Sequence, residues 1–574
     1  MALTDKILIK KILDESISYF RDTHRIKTIT VDEIAPTILN LLLISKDIKR
    51  EVIHLNFPIL SISSAKEFQY VSRCHIKFKL SLQFSLIKTL FNPSIQQQLY
   101  QKFKNFFPKT TTLSTDEAFI KIQENIDCID QVSDLMFLND LCDRLKKDNE
   151  ETLLSKVTSM KISVEHVAFL EIVAKHFGNQ LRKLDSCSTQ VQLNYDYLNQ
   201  FPKLEECTFN IGFVVNLFRY LKHRPNNLIH TVSLNSFESL VHRNIAQNIS
   251  DNPTLTRLSL RGRQTTREEL FKILNTCTNI KQLAIYDPNH MEIQTDDSVN
   301  TIEITNNTLE KLKLYKPGTF IYNWIGQSIL STLCVDHFTL DMVRTHVNLK
   351  KLTLKIDPHS FLDKYILEIW TSHDRLESLE KLKIEFNTIA PSMDNNFYWN
   401  VFIKGLQTNY CKLKSLSLIK TNIPLALIGD LMDILPASLT KLDIRIFKIL
   451  KIKSRDNSIR AATSDPQEIP FYLSIISILK EKLQQLQHLN LKLDMGLDLL
   501  SECILVVLEC HPFLKSFTFT SFIGGSFNEK QLTRFENALS KSMVQSLNID
   551  PLLWNSSNRN SLSKYLHSKG ILMK

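Results

Sequence analysis

Two hydrophobic textures alternate along much of the chain. From about Leu255 to Ile549 an apolar residue recurs, followed by two variable residues, a Leu, one variable residue and another apolar one. Leu255-Thr-Arg-Leu258-Ser-Leu260 is the clearest copy. In an extended segment the fourth and sixth positions share one side and the positions between them point to the other. A helical texture follows. Thr266, with Glu269 three residues on, predicts a capped helix start, and Leu270, Ile273, Leu274 and Cys277 then mark one helical face. The next strand-like copy opens at Ile280, a period of 25 residues (280 − 255). A single strand and helix cannot bury their own apolar sides, so the copies have to stack.

Upstream copies open at Val157, Leu181, Leu204 and Ile229, and downstream ones at Leu309, Leu330, Leu349, Leu379, Leu413, Leu439, Leu486, Leu514 and Val544. Pro202, Pro253 and Pro512 each stand two residues before a copy's first apolar residue, where a helix must already have ended. This text resembles the leucine-rich repeats, whose period is about 20–29 residues. The longer intervals, 30 residues (379 − 349) and 34 (413 − 379), resemble the ribonuclease-inhibitor and F-box-associated subclasses, in which every repeat carries a helix. The resemblance implies an α/β leucine-rich-repeat solenoid with parallel strands on a concave face and helices on a convex one. The Asn that such repeats place after the last strand Leu occurs only at Asn387, which predicts an irregular solenoid. Between Leu439 and Leu486 lie 47 residues (486 − 439), nearly two periods. The extra text at 446–470 carries Lys448, Lys451, Lys453, Arg455 and Arg460 against Asp456, and predicts an exposed basic loop.

Residues 1–57 predict a helical module. Ile7-Leu8-Ile9 with Ile12-Leu13 and Ile17 fits one amphipathic helix, and a second helix opens near Asp32. The stretch Leu39-Asn-Leu41-Leu42-Leu43-Ile44-Ser45-Lys46-Asp47-Ile48-Lys49, preceded by Ile9-Lys-Lys-Ile12-Leu13, is similar to the middle of an F-box. That resemblance implies docking of a Skp-type adaptor of a cullin-type ubiquitin ligase through Ile9, Ile12, Leu13, Leu41, Leu42 and Ile44. The other reading of the same residues is a cap over the first repeat. In 58–156, Ile76 to Leu86 alternates apolar and polar residues as a strand does, and Leu135, Leu138, Leu141 and Leu145 are spaced for a helix. This interval reads as degenerate repeats or as an accessory mixed layer. The solenoid is expected over 157–555, with a C-terminal cap or tail at 556–574.

Composition narrows the chemistry. At 574 residues the chain exceeds what one compact core supports, whereas a solenoid grows by addition. With 11 Gly and neither phosphate-cradling glycine motif, nucleotide chemistry has no sequence support. The ten Cys are scattered without a C-x-x-C pair, and Cys277 and Cys334 fall on core positions, which predicts buried reduced thiols. His337, His346, His359 and His373 share no metal-ligand spacing, and Cys510-His511 reads as a helix end. No catalytic constellation, metal or cofactor is expected. Asp5, Lys6, Lys10 and Lys11 interrupt the start, and no apolar run approaches a membrane span, so a cytoplasmic or nuclear location without membrane contact is expected.

Charge adds the sharpest expectation. Overall, 70 Lys and Arg face 60 Asp and Glu, a mild +10. At the third, fifth and seventh positions from Leu255 onward the bias is far stronger: Arg257, Arg261, Lys311, Lys313, Lys351, Lys355, Lys381, Lys383, Lys441, Arg445 and Lys492 against Asp336, Glu385, Asp443 and Asp550. These positions point out along the strands, with Tyr286 and Tyr315 among them. The band predicts a non-enzymatic interaction protein that binds an acidic protein partner on its concave face, and the lack of a phosphate-binding motif argues against nucleic acid. Two roles fit: substrate receptor of a cullin-type ligase, or a free-standing scaffold or inhibitor. The plain alternative is that Lys keeps an exposed sheet soluble.

Overall fold

In the computed structural model, the structure describes residues 28–30, 59–62, 80–85, 126–133, 135–147, 157–162, 168–186, 195–210, 214–224, 227–237, 245–262, 267–286, 301–315, 321–326, 328–335, 344–356, 377–386, 396–409, 412–421, 423–446, 469–492, 497–511, 513–520, 529–544, 546–549, 566 and 572–573. Two compact units divide the chain, Met1–Gln264 and Thr265–Lys574.

The first unit carries β1 (Thr28–Thr30), β2 (Ile59–Ile62), β3 (Leu80–Gln83), β4 (Ile126–Val132), β5 (Ser159–Ile162), β6 (Lys183–Ser186), β7 (Glu206–Asn210), β8 (Thr231–Phe237) and β9 (Arg257–Gly262). Each pairs in parallel with the next in chain order. The return paths include α1 (Leu135–Lys147), α2 (Ala168–Phe177), α3 (Val214–His223) and α4 (Ile245–Ser250). The weak copies at Val157, Leu181, Leu204 and Ile229 share one register: Met160, Leu184, Cys207 and Val232 are successive strand partners, all buried. The parallel pairing runs back through β4 to β1, where the repeat text is too poor to read. Of the alternating stretch Ile76 to Leu86, β3 is the described strand, and Phe84 and Ser85 after it are already helical. The two helices expected within 1–57, with Ile9, Ile12, Leu13, Leu41, Leu42 and Ile44, lie outside the described residues.

The second unit opens with α5 (Arg267–Thr276), starting one residue after Thr266 as the capping box predicts. Its predicted face, Leu270, Ile273, Leu274 and Cys277, is buried. Strands β10 (Gln282–Tyr286), β12 (Lys311–Tyr315), β14 (Thr332–Val335), β15 (Lys351–Ile356), β16 (Lys381–Phe386), β17 (Ser415–Thr421), β18 (Lys441–Ile446), β19 (His488–Lys492), β20 (Ser516–Thr520), β21 (Ser546–Ile549) and β22 (Leu572–Met573) pair in parallel, each with the next. Their fourth and sixth positions stack into two apolar columns. Leu312, Leu333, Leu352, Leu382, Leu416, Leu442 and Leu489 form the first of these and are at most 1% exposed. Helices α6 (Asn396–Asn409), α7 (Leu425–Ile434), α8 (Ile469–Glu481), α9 (Leu497–Cys510) and α10 (Glu529–Lys541) pack in sequence order. β18 and β19 remain in register across the long interval, whose loop beyond Ile446 and before Ile469 lies outside the described residues.

Not every return path is helical. β11 (Thr301–Ile304) and β13 (Ile321–Trp324) form a separate parallel pair where the repeat predicts helices. Ile302 and Ile304 alternate with Thr301 and Glu303, a period-two pattern with β-branched residues inside, which suits a strand.

β6 to β9, β12 and β14 to β20 are entered by the same turn. Second- and third-position N–H groups both donate to the second-position carbonyl of the preceding strand: Lys350 and Lys351 to Ser331, Glu380 and Lys381 to Lys350, Lys414 and Ser415 to Glu380. The first-position N–H closes on the carbonyl three residues back, as Leu255 does on Asn252, Leu349 on His346 and Leu514 on His511. This turn residue is buried in repeat after repeat: Phe201, Asn252, Cys277, His346, Leu483 and His511 are at most 2% exposed. Asn252 meets the requirement by donating to the carbonyl of Phe218 at 3.0 Å. The two histidines avoid a buried charge by staying neutral: burial pushes the His346 ring down to about 4 and lowers that of His511.

Candidate functional site

The strand face opposite the apolar columns carries the predicted band. In the second unit the third-position column runs Gln282, Lys311, Thr332, Lys351, Lys381, Ser415, Lys441 and His488 on successive strands. Lys351 is exposed, and Lys311, Lys381 and Lys441 are half-buried along their stems. Lys351 and Lys381 are direct register partners, about 4.8 Å apart across the sheet. Like charges placed opposite each other destabilise a sheet. His488 beside Lys441 does not add to the charge, because burial, then Lys441 and Lys515, push its ring down to about 3.

The fifth and seventh columns join the lysines to the aromatic residues. Tyr286 and Tyr315 are register partners whose rings stack with centroids 4.4 Å apart at 11°. The ammonium of Lys355, two strands along, lies 4.1 Å from the Tyr315 ring centroid, a cation–π contact. Sequence reasoning places both tyrosines outward as flat contact surface. Tyr315 departs from that: stacked under Tyr286 and Lys355, it is 9% exposed, while Tyr286 remains half-buried. The pair forms a stacked platform in which Tyr286 is the more exposed ring.

Two band cations are held by carboxylates two residues along their own strand. Lys383 Nζ lies 2.8 Å from Glu385, and Arg445 donates to both oxygens of Asp443 at 2.9 and 3.0 Å. The signal for these pairs was in the sequence: a period of two puts K-x-E and D-x-R side chains on the same face. Lys313 is half-buried between Leu312 and Leu314, and Lys492 ends its strand half-buried. In the first unit Arg257 and Arg261 are exposed at the two ends of the outward face of β9.

One cation escaped the register altogether. Lys420 follows Ile419, the strand partner of Glu385, at a bulge where the pairing shifts between Ile419 and Thr421. Its φ of 58° is left-handed, a conformation that costs a residue with a Cβ. Burial works against the charge of Glu385, yet the hydrogen bond from Lys383 and the charges of Lys383, Lys355 and Lys420 hold its carboxyl below the usual range. Only the bulge brings Lys420 into this group, and no hydrophobic pattern announces it.

Among the described residues no group of three His, Cys, Asp or Glu could hold a metal ion, and no helix is long and apolar enough to cross a membrane. Burial pushes the thiols of Cys277 and Cys503 up to about 12, which makes them poor nucleophiles.

A scan against models of protein families and a search of curated proteins each find no match. Among solved structures, a chain of the Drosophila Toll–Spatzle complex is 10% identical over 78% of this chain and 59% of its own, with a TM-score of 0.25. The glycosylated form of that complex is 14% identical over 74% and 58%, with a TM-score of 0.23. A Bacteroides fragilis protein is 9% identical over 84% and 81%, with a TM-score of 0.12. The chain thus spans under two thirds of the length of the first two. What the described residues share with leucine-rich repeats is the architecture itself: parallel strands, one per L-x-x-L-x-L copy, in an α/β array.

Proposed function

We propose that this chain is a non-enzymatic leucine-rich-repeat protein whose outward strand face in the second unit, the concave face of the repeat pattern, holds an acidic segment of a protein partner. The observation that carries this reading is the column Lys311, Lys351, Lys381 and Lys441, with Lys351 and Lys381 in direct register beside a tyrosine platform. Solubility alone is served by mixed charges, which carry no such repulsion. Local rules are broken where a surface has a partner to meet. An acidic segment would relieve the repulsion on binding, and the tyrosines would supply rigid contact area.

The test is a triple charge reversal, Lys311→Glu, Lys351→Glu and Lys381→Glu. Partners captured by the wild-type chain should be lost from the variant, with the melting temperature unchanged, since outward substitutions of this kind shift stability by only about 0.5 kcal/mol. Retention of the same partners would reduce the band to solvated surface. The finer form of the reading, a substrate receptor of a cullin-type ligase acting in the cytosol or nucleus, is supported by the F-box-like segment in residues 1–57. In that form the intact chain co-purifies with a Skp-type adaptor, and Ile12→Asp with Leu42→Asp abolishes it. Failure of the wild-type chain to retain the adaptor leaves the free-standing scaffold or inhibitor.

A further inference from the structure

At the seventh position of the second unit's strands, Tyr286 and Tyr315 are register partners on β10 and β12, and Lys355 and Glu385 on β15 and β16. Glu385 is a carboxylate in the middle of a basic face. Lys383 reaches it at 2.8 Å from its own strand, and Lys420 is brought alongside by a backbone turned left-handed at a bulge. Lys355, its direct strand partner, is instead drawn over the Tyr315 ring at 4.1 Å. A half-exposed ion pair stabilises a fold only slightly. A lysine in contact and a second, itself in a strained conformation, beside one carboxylate exceed what a surface pair needs, and backbone strain of this kind gathers at binding sites. The arrangement is that of an anion site already filled.

We propose that Glu385 is an internal stand-in for a carboxylate of the acidic partner: an Asp or Glu side chain of the bound segment takes its place among Lys383, Lys355 and Lys420, with the neighbouring residues of that segment lying over Tyr286 and Lys351. This rests on the reading of the strand face as a site for an acidic segment and adds to it a resident competitor. The stand-in screens the lysines from one another when the face is empty, and it makes binding an exchange of one carboxylate for another.

The experiment uses the full chain and a fluorescein-labelled decaglutamate peptide, read by fluorescence anisotropy at low salt. Glu385→Gln removes the competing charge while keeping the side chain's shape, and should tighten peptide binding about tenfold, an advantage that fades as salt is raised. Lys420→Gly removes a cation and relieves the left-handed strain, so it should weaken binding while the melting temperature holds or rises. Unchanged or weaker binding by Glu385→Gln overturns the stand-in, as does unchanged or tighter binding by Lys420→Gly, and the triple reversal reports separately on the face as a whole. If neither the wild type nor Glu385→Gln binds the peptide, the stand-in is overturned even where partner capture still depends on Lys311, Lys351 and Lys381. A tenfold gain for a ten-nucleotide oligothymidylate of similar charge would move the site from carboxylates to phosphates and overturn the assignment to a protein segment.

Discussion

Leu416→Ala should be costly and Ser415→Ala, one residue away, nearly silent. Leu416 is 0% exposed, flanked in register by Leu382 and Leu442 at 1% and 0%. It is therefore enclosed along the column by its strand neighbours, and on its own strand Leu418 closes the next layer at 0%. Neither neighbour can move into the space without leaving its own repeat, so little of the cavity relaxes. Leu→Ala at such a site costs roughly 2–5 kcal/mol. For a unit of this size that is a fall of roughly 5–15 °C in melting temperature. Ser415 is half-buried on the other face, and its truncation stays within about 0.5 kcal/mol. The contrast tests the register itself, since a slip of one residue exchanges the two faces of the strand. Urea titration followed by both far-ultraviolet circular dichroism and tryptophan fluorescence is the assay, because a stack of repeats can unfold in more than one step. Equal effects from the two variants, or a silent Leu416→Ala, would refute the register.

Acid should unfold the chain in a window set partly by His346. Its folded ring titrates at about 4 against an ordinary 6.5, so its contribution is whole above pH 6.5, shrinks as the unfolded state alone takes up a proton, and is gone by about pH 4. At about 1.36 kcal/mol per pH unit the loss is roughly 3 kcal/mol, and a His346→Leu variant whose stability falls as steeply as the wild type's over that range would contradict it. Two glycines should respond oppositely to Ala. At Gly178, after α2, a Cβ would stand 2.6 Å from the Ala174 carbonyl oxygen and closer still to that of Gln200, so the first unit should lose more than about 1 kcal/mol. Within α7, a Cβ on Gly429 comes nearest the movable Ser474 hydroxyl, at 3.1 Å, with ordinary contacts to Ser474 Cβ and Ile478 beyond it, and the gain in helix propensity, up to about 1 kcal/mol, should raise the melting temperature or leave it unchanged.

What could be read in the chain follows from what repeats in it. Fourth-position residues from Met160 to Leu547, and most sixth-position ones, are buried because each faces the same surroundings as its neighbours, so one clear instance, Leu258 and Leu260, teaches the rest. The poor copy at Leu181 could be placed for the same reason. Features that occur once had no such support. β11 replaces a helix because Thr301 to Ile304 alternates where other return paths run at helical spacing, and a four-residue pattern is too short to outweigh the expectation set by its neighbours. The lysine band was legible as charge in register, but its organisation was not. Lys355 reaches across β14 to Tyr315, and Lys420 enters through a bulge, so both act outside the positions that a strand pattern assigns to them. Glu385 shows why the difference matters. Counted along the sequence it is a blemish in a basic band, one of four acids against eleven bases. Placed in the fold it has Lys383 at 2.8 Å and also feels the charges of Lys355 and Lys420, and under the stand-in proposal its sign is that of the group the face would take.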